Sequence, residues 1–467
     1  MTPPSLVARH PMTAPSLADS ATFADLTARE PARPVRVLFI NDTARNGGPG
    51  RSLHSILKFL DPRVAYRAVV LPREGAIAEL LRRDGVADEL IFEPNLVENP
   101  IEPWARAMER RDFDASVARK AARLAGNLVK ATKAMSRLSS LIREGRFDLV
   151  YCNGTNADFA GGLLTRMTGV PALWHVRYTS IPPVVTALHR GLSGGAGVRR
   201  IVCVSRSAAA LFPHCPDKVR VIHNALDVGA FDPTQVRGTL RGELGFASDA
   251  IVFGSHGRVL RRKGYIEMVR AARLALDAMD AATQERVFFV VVGDTPEDFR
   301  PDHVEECRAL AASLGLSGRF LMLGFRADVR PLVADFDVAV VPSVYADPLP
   351  RAVIESMAMG KPVVAFAVGG VVEMLDAKTG ELVAFEGASG GKRDSGDGAS
   401  PEAVARLAEA FVRYARDPAL RARQGIASRE RVLREFDART HARRIQREIV
   451  FAAGLASPQA GSTSGGD

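Results

Sequence analysis

The sequence predicts an α/β protein built from two doubly wound domains, and three observations predict it. The chain's 467 residues are about three times a usual domain length. From Val35 onward, short β-branched runs alternate with amphipathic helical stretches, the pattern of parallel strands joined by crossover helices. That series starts afresh near Ile251, after a segment rich in turn formers. With 47% hydrophobic and 25% charged residues the composition is globular. No apolar run approaches the roughly 20 residues that a membrane-spanning helix needs.

Taken in order, residues 1–33 have no continuous apolar core followed by a cleavage site, and they predict a disordered leader rather than an export signal. The first domain, residues 34–222, has predicted strands at 35–40, 67–71, 149–152, 172–175 and 201–204. Within it, residues 104–146 form a long, basic, helix-prone insertion. Such a helix either covers the N-terminal sheet with a solvated outer face or lies on anionic lipid. Residues 221–245 read as the interdomain linker. The second domain, residues 223–436, has predicted strands at 251–255, 287–292, 320–323, 338–341 and 363–367. An amphipathic helix follows within residues 437–456, then a Gly/Ser-rich tail at 457–467 expected to be disordered; residues 387–400 share that composition.

Composition narrows the function classes. Cys152, Cys203, Cys215 and Cys307 are scattered without a CxxC pair, which predicts neither a zinc site nor a disulfide framework and fits a reducing cytoplasm. The net charge of +9 points to an anionic partner. No zinc-finger or RNA-binding aromatic motif accompanies it, so nucleic acid is not expected.

The most informative segment is PSVYADPLPRAVIESMAMGKPVV, residues 342–364. A strand ends at Pro342, a loop carries Asp347, and a helix begins near Pro350, leaving the N–H groups around Arg351 free to meet phosphate. Asp347 is placed to reach sugar hydroxyls, and Glu355, two turns into the helix, to accept the vicinal hydroxyls of a ribose. Spacing alone leaves a surface acid and a helix salt bridge equally open. A second segment, GSHGRVLRRKGY at 254–265, follows the first strand of the second domain. Arg258 and Lys263 there suit a diphosphate, since a planar fork and a compact ammonium both stabilise charge that grows as a phosphate departs. A solvated basic turn is the alternative, and Arg261 and Arg262 are expected to face solvent. In NDTARNGGPGRSL, Gly47 and Gly48 stand where backbone can approach a phosphate, or simply make a tight strand-to-helix turn. His175, in PALWHVR, is expected to end its strand at the cleft edge. Phe325 and Arg326 border a nucleobase or form an ordinary turn, Ser205 caps a helix, and Glu373 is structural.

These motifs resemble retaining GT-B enzymes of glycosyltransferase family 4, over about residues 35–436. The family hallmark is Glu, seven residues, Glu, then a small-residue helix and Gly-x-Pro-Val; here Asp347 stands first, Glu355 second, and SMAMGKPVV follows. Asp in the first place and Pro350 where many members have Gly are departures. The resemblance implies two Rossmann-like domains facing each other across a cleft, and transfer of a hexose from a nucleoside-diphosphate sugar to a glycan or lipid-linked acceptor with retention. It implies that Arg258 and Lys263 clamp the donor diphosphate, that Asp347 and His175 contact the donor sugar, and that Glu355 holds the ribose. The loop at Gly47 and Gly48 would close over the diphosphate and acceptor side, and the last helix would cross back to the first domain. The leaving phosphate would itself take the acceptor proton, with no cofactor.

Two Asp-x-Asp triplets, Asp112/Asp114 and Asp335/Asp337, sit in no convincing metal site, and metal-independent turnover is expected. Three alternatives remain: a nucleotide-sugar epimerase of similar fold, a noncatalytic nucleotide-sugar-binding protein, and a pyridoxal-phosphate phosphorylase, for which no Schiff-base lysine stands out. Peripheral contact with an anionic membrane at the cytoplasmic face belongs to the expected setting.

Overall fold

A computed structural model describes residues 31, 33–44, 47–96, 117–296, 302–387 and 398–455. Most of the expected leader, residues 104–116 with Asp112 and Asp114, most of 387–400 and the tail lie outside the described residues.

Two wholly parallel sheets form the frame. The first has seven strands in the order β3-β2-β1-β4-β5-β6-β7: β1 is Val35–Asn41, β2 Ala65–Leu71, β3 Glu89–Phe92, β4 Leu149–Asn153, β5 Ala172–Val176, β6 Val198–Cys203 and β7 Val219–Val221. The second has six in the order β10-β9-β8-β11-β12-β13, with β8 at Ile251–His256, β9 Val287–Val292, β10 Phe320–Met322, β11 Val338–Val341, β12 Val363–Phe366 and β13 Gly380–Val383. The central strands are near-continuous Val, Ile, Leu and Phe because helices cover both faces of each sheet. β3, β7 and β13 were not foreseen: each is a short edge strand carrying a charged residue, with weak apolar signal.

The basic insertion becomes the helix Val117–Glu144. Ala134, Leu138 and Ile142 are buried against the first sheet, whereas residues 125–133 include no buried position. The last helix, Ala438–Ala452, inserts Ile445, Ile449 and Val450 into the core of the first domain, against the helix Gly48–Phe59 and strands β4, β5 and β6. The chain therefore crosses between domains twice, and the crossings run side by side. Leu226 N–H donates to Phe436 O at 2.9 Å and Ala438 N–H to Leu226 O at 2.9 Å. The expected linker is packed rather than loose, since Arg429 donates to the carbonyls of Phe231 and Ala358. Glu373 adds a third tie. Its carboxylate accepts from the backbone N–H groups of Arg206 and Ser207 in the first domain and pairs with His223 at 3.1 Å. Ser205 caps the same short helix by accepting from Ala208 N–H.

Loops leaving the second sheet are held at van der Waals limits by glycine. Gly264 has φ +73°, and a Cβ there would meet Pro342 O at 1.8 Å; one at Gly370 would meet Pro348 O at 1.8 Å. Gly315 has a similar φ of +69°, and an added Cβ would meet nothing within 4 Å among the described residues. Gly315→Ala is expected to cost about 1 kcal/mol through backbone conformation alone, and Gly264→Ala at least about twice that because a carbonyl must also move. Urea denaturation checks the pair, and equal losses would refute the close approach.

Candidate functional site

Between the two sheets, at the carboxyl ends of their strands, lies a cleft of ≈ 690 Å³. That is where ligands settle on parallel α/β sheets, because helix starts and mobile turns converge there. One wall comes from the first domain: Gly47, Gly48 and Arg51 at the start of the helix Gly48–Phe59, then Arg177 to Ser180 past β5. The other comes from the turns after β8, β10 and β11 and the start of the helix Arg351–Ala358. Arg258, Lys263, Phe325, Arg326, Asp347, Pro350, Arg351 and Glu355 are brought together on this lining, as are Gly47 and Gly48 opposite them.

Asp347 is buried on the loop after β11. Its Oδ2 accepts from Lys263 Nζ at 2.6 Å and from Tyr345 Oη at 2.8 Å. Burial opposes its ionisation, but the Lys263 ammonium outweighs burial and holds the carboxyl below the ordinary value. Burial likewise opposes the charge on Lys263, and Asp347 more than restores it. Gly370 N–H donates to Asp347 O at 2.8 Å, and Thr179 of the first domain donates to Ala346 O at 2.8 Å, so the acid-bearing loop is pinned from both sides.

Glu355 is equally engaged. His256 Nε2 donates to Oε2 at 3.0 Å and Arg351 Nε donates to Oε1 at 3.2 Å. Burial would raise its pKa, yet the His256 hydrogen bond and the Arg351 charge prevail and bring it to about 2. Pro350 is the N-cap of that helix, with no side-chain cap. Arg326 donates to Leu323 O at 2.7 Å, and Phe325 stands 67% exposed at the rim. Arg258 is exposed on the turn after β8.

Two expectations are corrected. His175 does not reach the cleft: β5 runs through Val176, one residue beyond the predicted end, so the imidazole is fully buried. It contacts Tyr151 Oη, and burial followed by the Arg177 charge holds it well below its ordinary pKa and neutral. The residues that do line the cleft are Arg177, Tyr178 and Thr179, just past the strand. Arg262 does not face solvent either. It lines the cleft with its guanidinium 4.9 Å from the Tyr345 ring centre, and its buried Nε has no hydrogen-bond partner among the described residues. His256, Tyr345 and Arg177 were missed, although His256 ends a strand inside the quoted GSHGRVL segment. Asp335 and Asp337 bind Arg241: Oδ2 of Asp335 accepts its backbone N–H at 3.0 Å, and Oδ2 of Asp337 its guanidinium at 2.8 Å.

The lining carries Arg51, Arg177, Arg258, Arg262, Lys263, Arg326 and Arg351 against Asp294, Asp347 and Glu355. Paired parallel sheets closing on a cationic cleft define the GT-B architecture. A family model described as Glycosyltransferase Family 4 matches residues 47–229, and one described as Glycosyl transferases group 1 matches residues 250–390. The chain thus joins a domain matching the Glycosyltransferase Family 4 model to one matching the Glycosyl transferases group 1 model, in a GT-B fold.

The chain is 30% identical over 309 residues to a D-inositol 3-phosphate glycosyltransferase of Streptomyces avermitilis, covering 61% of each. It is 24% identical over 260 residues to the UDP-Gal:alpha-D-GlcNAc-diphosphoundecaprenol alpha-1,3-galactosyltransferase of Escherichia coli, covering 52% of this chain and 64% of that protein. These alignments thus span less than two thirds of the curated relatives' length. Among solved structures, Anabaena Alr3699/HepE in complex with UDP shares the fold with a TM-score of 0.69 at 21% identity, over 89% of this chain and 100% of that one.

The Glu355 contacts have a pH signature. Its folded pKa of about 2 lies below the unfolded value of 4.5, so its contribution to stability is present above pH 4.5 and is lost as pH falls toward 2. Glu355→Gln is expected to flatten that acid limb of a Tm-against-pH profile. An unchanged limb would show that the contacts with His256 and Arg351 do not persist in solution.

Proposed function

We propose that this chain is a retaining glycosyltransferase that moves a hexose from a nucleoside-diphosphate sugar to a glycan or lipid-linked acceptor, without a metal ion or other cofactor. The observation that carries this reading is the convergence of Arg258, Lys263 and Glu355 on one interdomain cleft. In this reading the ribose takes up Glu355, whose carboxylate is kept ionised by His256 and Arg351. Arg258, Lys263 and the start of the helix at Arg351 then meet the diphosphate, where fixed cations gain most as charge builds on the departing phosphate. Lys263 is the hinge of this step. In drawing its ammonium toward phosphate, the donor releases Asp347 to accept sugar hydroxyls. The acceptor hydroxyl attacks on the face that the leaving group vacates, and the departing phosphate oxygen takes its proton. UDP is the first nucleotide to test, since the Anabaena neighbour was solved with it.

Lys263→Ala and Arg258→Ala should each lower turnover at least 100-fold, roughly 2.7 kcal/mol of transition-state stabilisation. Sugar transfer is followed by nucleotide release, with product configuration read from anomeric proton couplings and folding checked by circular dichroism. EDTA should leave the rate unchanged. Near wild-type rates in both variants, an inverted product or strict dependence on manganese would each overturn part of the reading.

Peripheral contact with an anionic membrane, at the cytoplasmic face, belongs to the same proposal. The helix Val117–Glu144 exposes Leu128 at 66% and Val129 at 54% beside exposed Lys130 and Lys133. An apolar pair flanked by ammonium groups suits the headgroup boundary of a bilayer. No helix among the described residues is long and apolar enough to cross it. Binding to phosphatidylglycerol vesicles should fall steeply between about 0.05 M and about 0.5 M salt, and equal affinity for neutral vesicles would refute the contact.

A further inference from the structure

Arg177 is a cation that the donor site does not explain. It stands first after β5, half-buried on the wall of the first domain. Its Nε donates to Asn153 Oδ1 at 2.8 Å, its Nη1 to Asn224 Oδ1 at 2.5 Å, and its Nη2 lies 3.2 Å from His175 Nδ1. All three partners are uncharged. Among the described residues no carboxylate lies within ion-pairing distance, and burial has drawn the guanidinium's pKa down to about 10. Lys263 and Arg351, by contrast, each have an acid partner.

The cradle is built to hold this charge without cancelling it. Asn153 Nδ2 donates to Asn41 Oδ1 at 2.6 Å and to Pro49 O at 3.2 Å, which turns its carbonyl oxygen toward Arg177. Ser52 Oγ donates to Asn224 Oδ1 at 3.2 Å and fixes the second amide. An aspartate in either place would accept the same hydrogen bond and neutralise the guanidinium; the amides supply only the geometry. Three of the five guanidinium N–H groups are thereby used, and two remain for a ligand. Along the same wall the helix Gly48–Phe59 begins at Gly47 with no side-chain cap and no acidic residue in its first turn, so its positive end adds to the field. The donor-diphosphate cations Arg258 and Lys263 belong to the opposite domain. A half-buried cation held by neutral groups leaves its charge available to an anion.

We propose that Arg177, with the start of the helix Gly48–Phe59 beside it, seats a phosphate ester carried by the acceptor, making the acceptor a phosphorylated polyol or a phosphate-linked lipid headgroup. The inference rests on the transfer reading above, and its test measures binding rather than turnover so that the two can fail separately. sn-Glycerol 3-phosphate and glycerol are titrated against the full chain by calorimetry, with and without UDP. Glycerol phosphate should bind while UDP is bound, and glycerol at least about tenfold more weakly.

Arg177→Gln and Asn224→Asp should each weaken glycerol phosphate at least about tenfold and shift UDP affinity less than about threefold. Asn224→Asp is nearly isosteric and brings a carboxylate to the guanidinium, giving up only the long 3.5 Å bond from Asn224 Nδ2 to Leu349 O, so its Tm should stay close to wild type, which separates lost charge from lost fold. Arg177-dependent binding of glycerol phosphate in solution assigns a soluble phosphorylated acceptor. Arg177-dependent binding only to phosphatidylglycerol vesicles assigns the phosphate of a lipid headgroup. Displacement of glycerol phosphate by UDP, equal loss of UDP affinity in Arg177→Gln, or no Arg177 dependence in either arm overturns the proposal. A wild-type chain that binds glycerol phosphate but none of UDP, GDP and ADP leaves this site standing and removes the transfer reading.

Discussion

The cleft depends on backbone packing against backbone. The turn after β8, the loop after β11 and the turn after β12 meet at Gly264 and Gly370, where a single added carbon would collide with a carbonyl. Only with those three segments in contact do Lys263 and Asp347 come within 2.6 Å and Glu355 within reach of His256. Side-chain chemistry at this site is therefore conditional on two positions that have no side chain.

Charge is distributed across the cleft in two ways. In the second domain, Lys263 is matched with Asp347 and Arg351 with Glu355, so these cations are held in place by partners that a ligand can displace. In the first domain, Arg177 is held by amides and a neutral imidazole. An ammonium that must leave a carboxylate gives up an interaction to bind phosphate, whereas a guanidinium among neutral groups gives up little. The two walls thus differ in how much of an anion's binding energy they return as net affinity.

Much of this was legible in the residues. Central strands buried on both faces announce themselves as apolar runs, and the nine central strands follow that signal, as does the apolar edge strand β10. The edge strands β3, β7 and β13 did not, because a short edge strand needs few apolar residues. The spacing of Asp347 and Glu355 and the basic turn at Arg258 and Lys263 pointed to one lining. The errors were of one kind. Placing His175 at the cleft edge required β5 to end on it, and β5 continues for one more residue, so His175 is buried and Arg177 lines the cleft. Arg262 was misread for a related reason: nothing local in RVLRRK tells which of its cations finds the ring of Tyr345, more than eighty positions away in the chain. Boundary residues and distant aromatic partners are tertiary facts, and periodicity does not carry them.

The paired crossings at Leu226 and at Phe436 to Ala438 also fix how one half of the molecule can move against the other. Two adjacent polypeptide spans bonded to each other make an axle: pivoting about them twists few bonds, while sliding along or across them shears both at once. Glu373 ties the first domain to the same seam, through the N–H of Arg206 and through His223, which stacks on Phe436. Rotation about the paired spans is thus the movement of one lobe against the other that leaves most of these bonds intact.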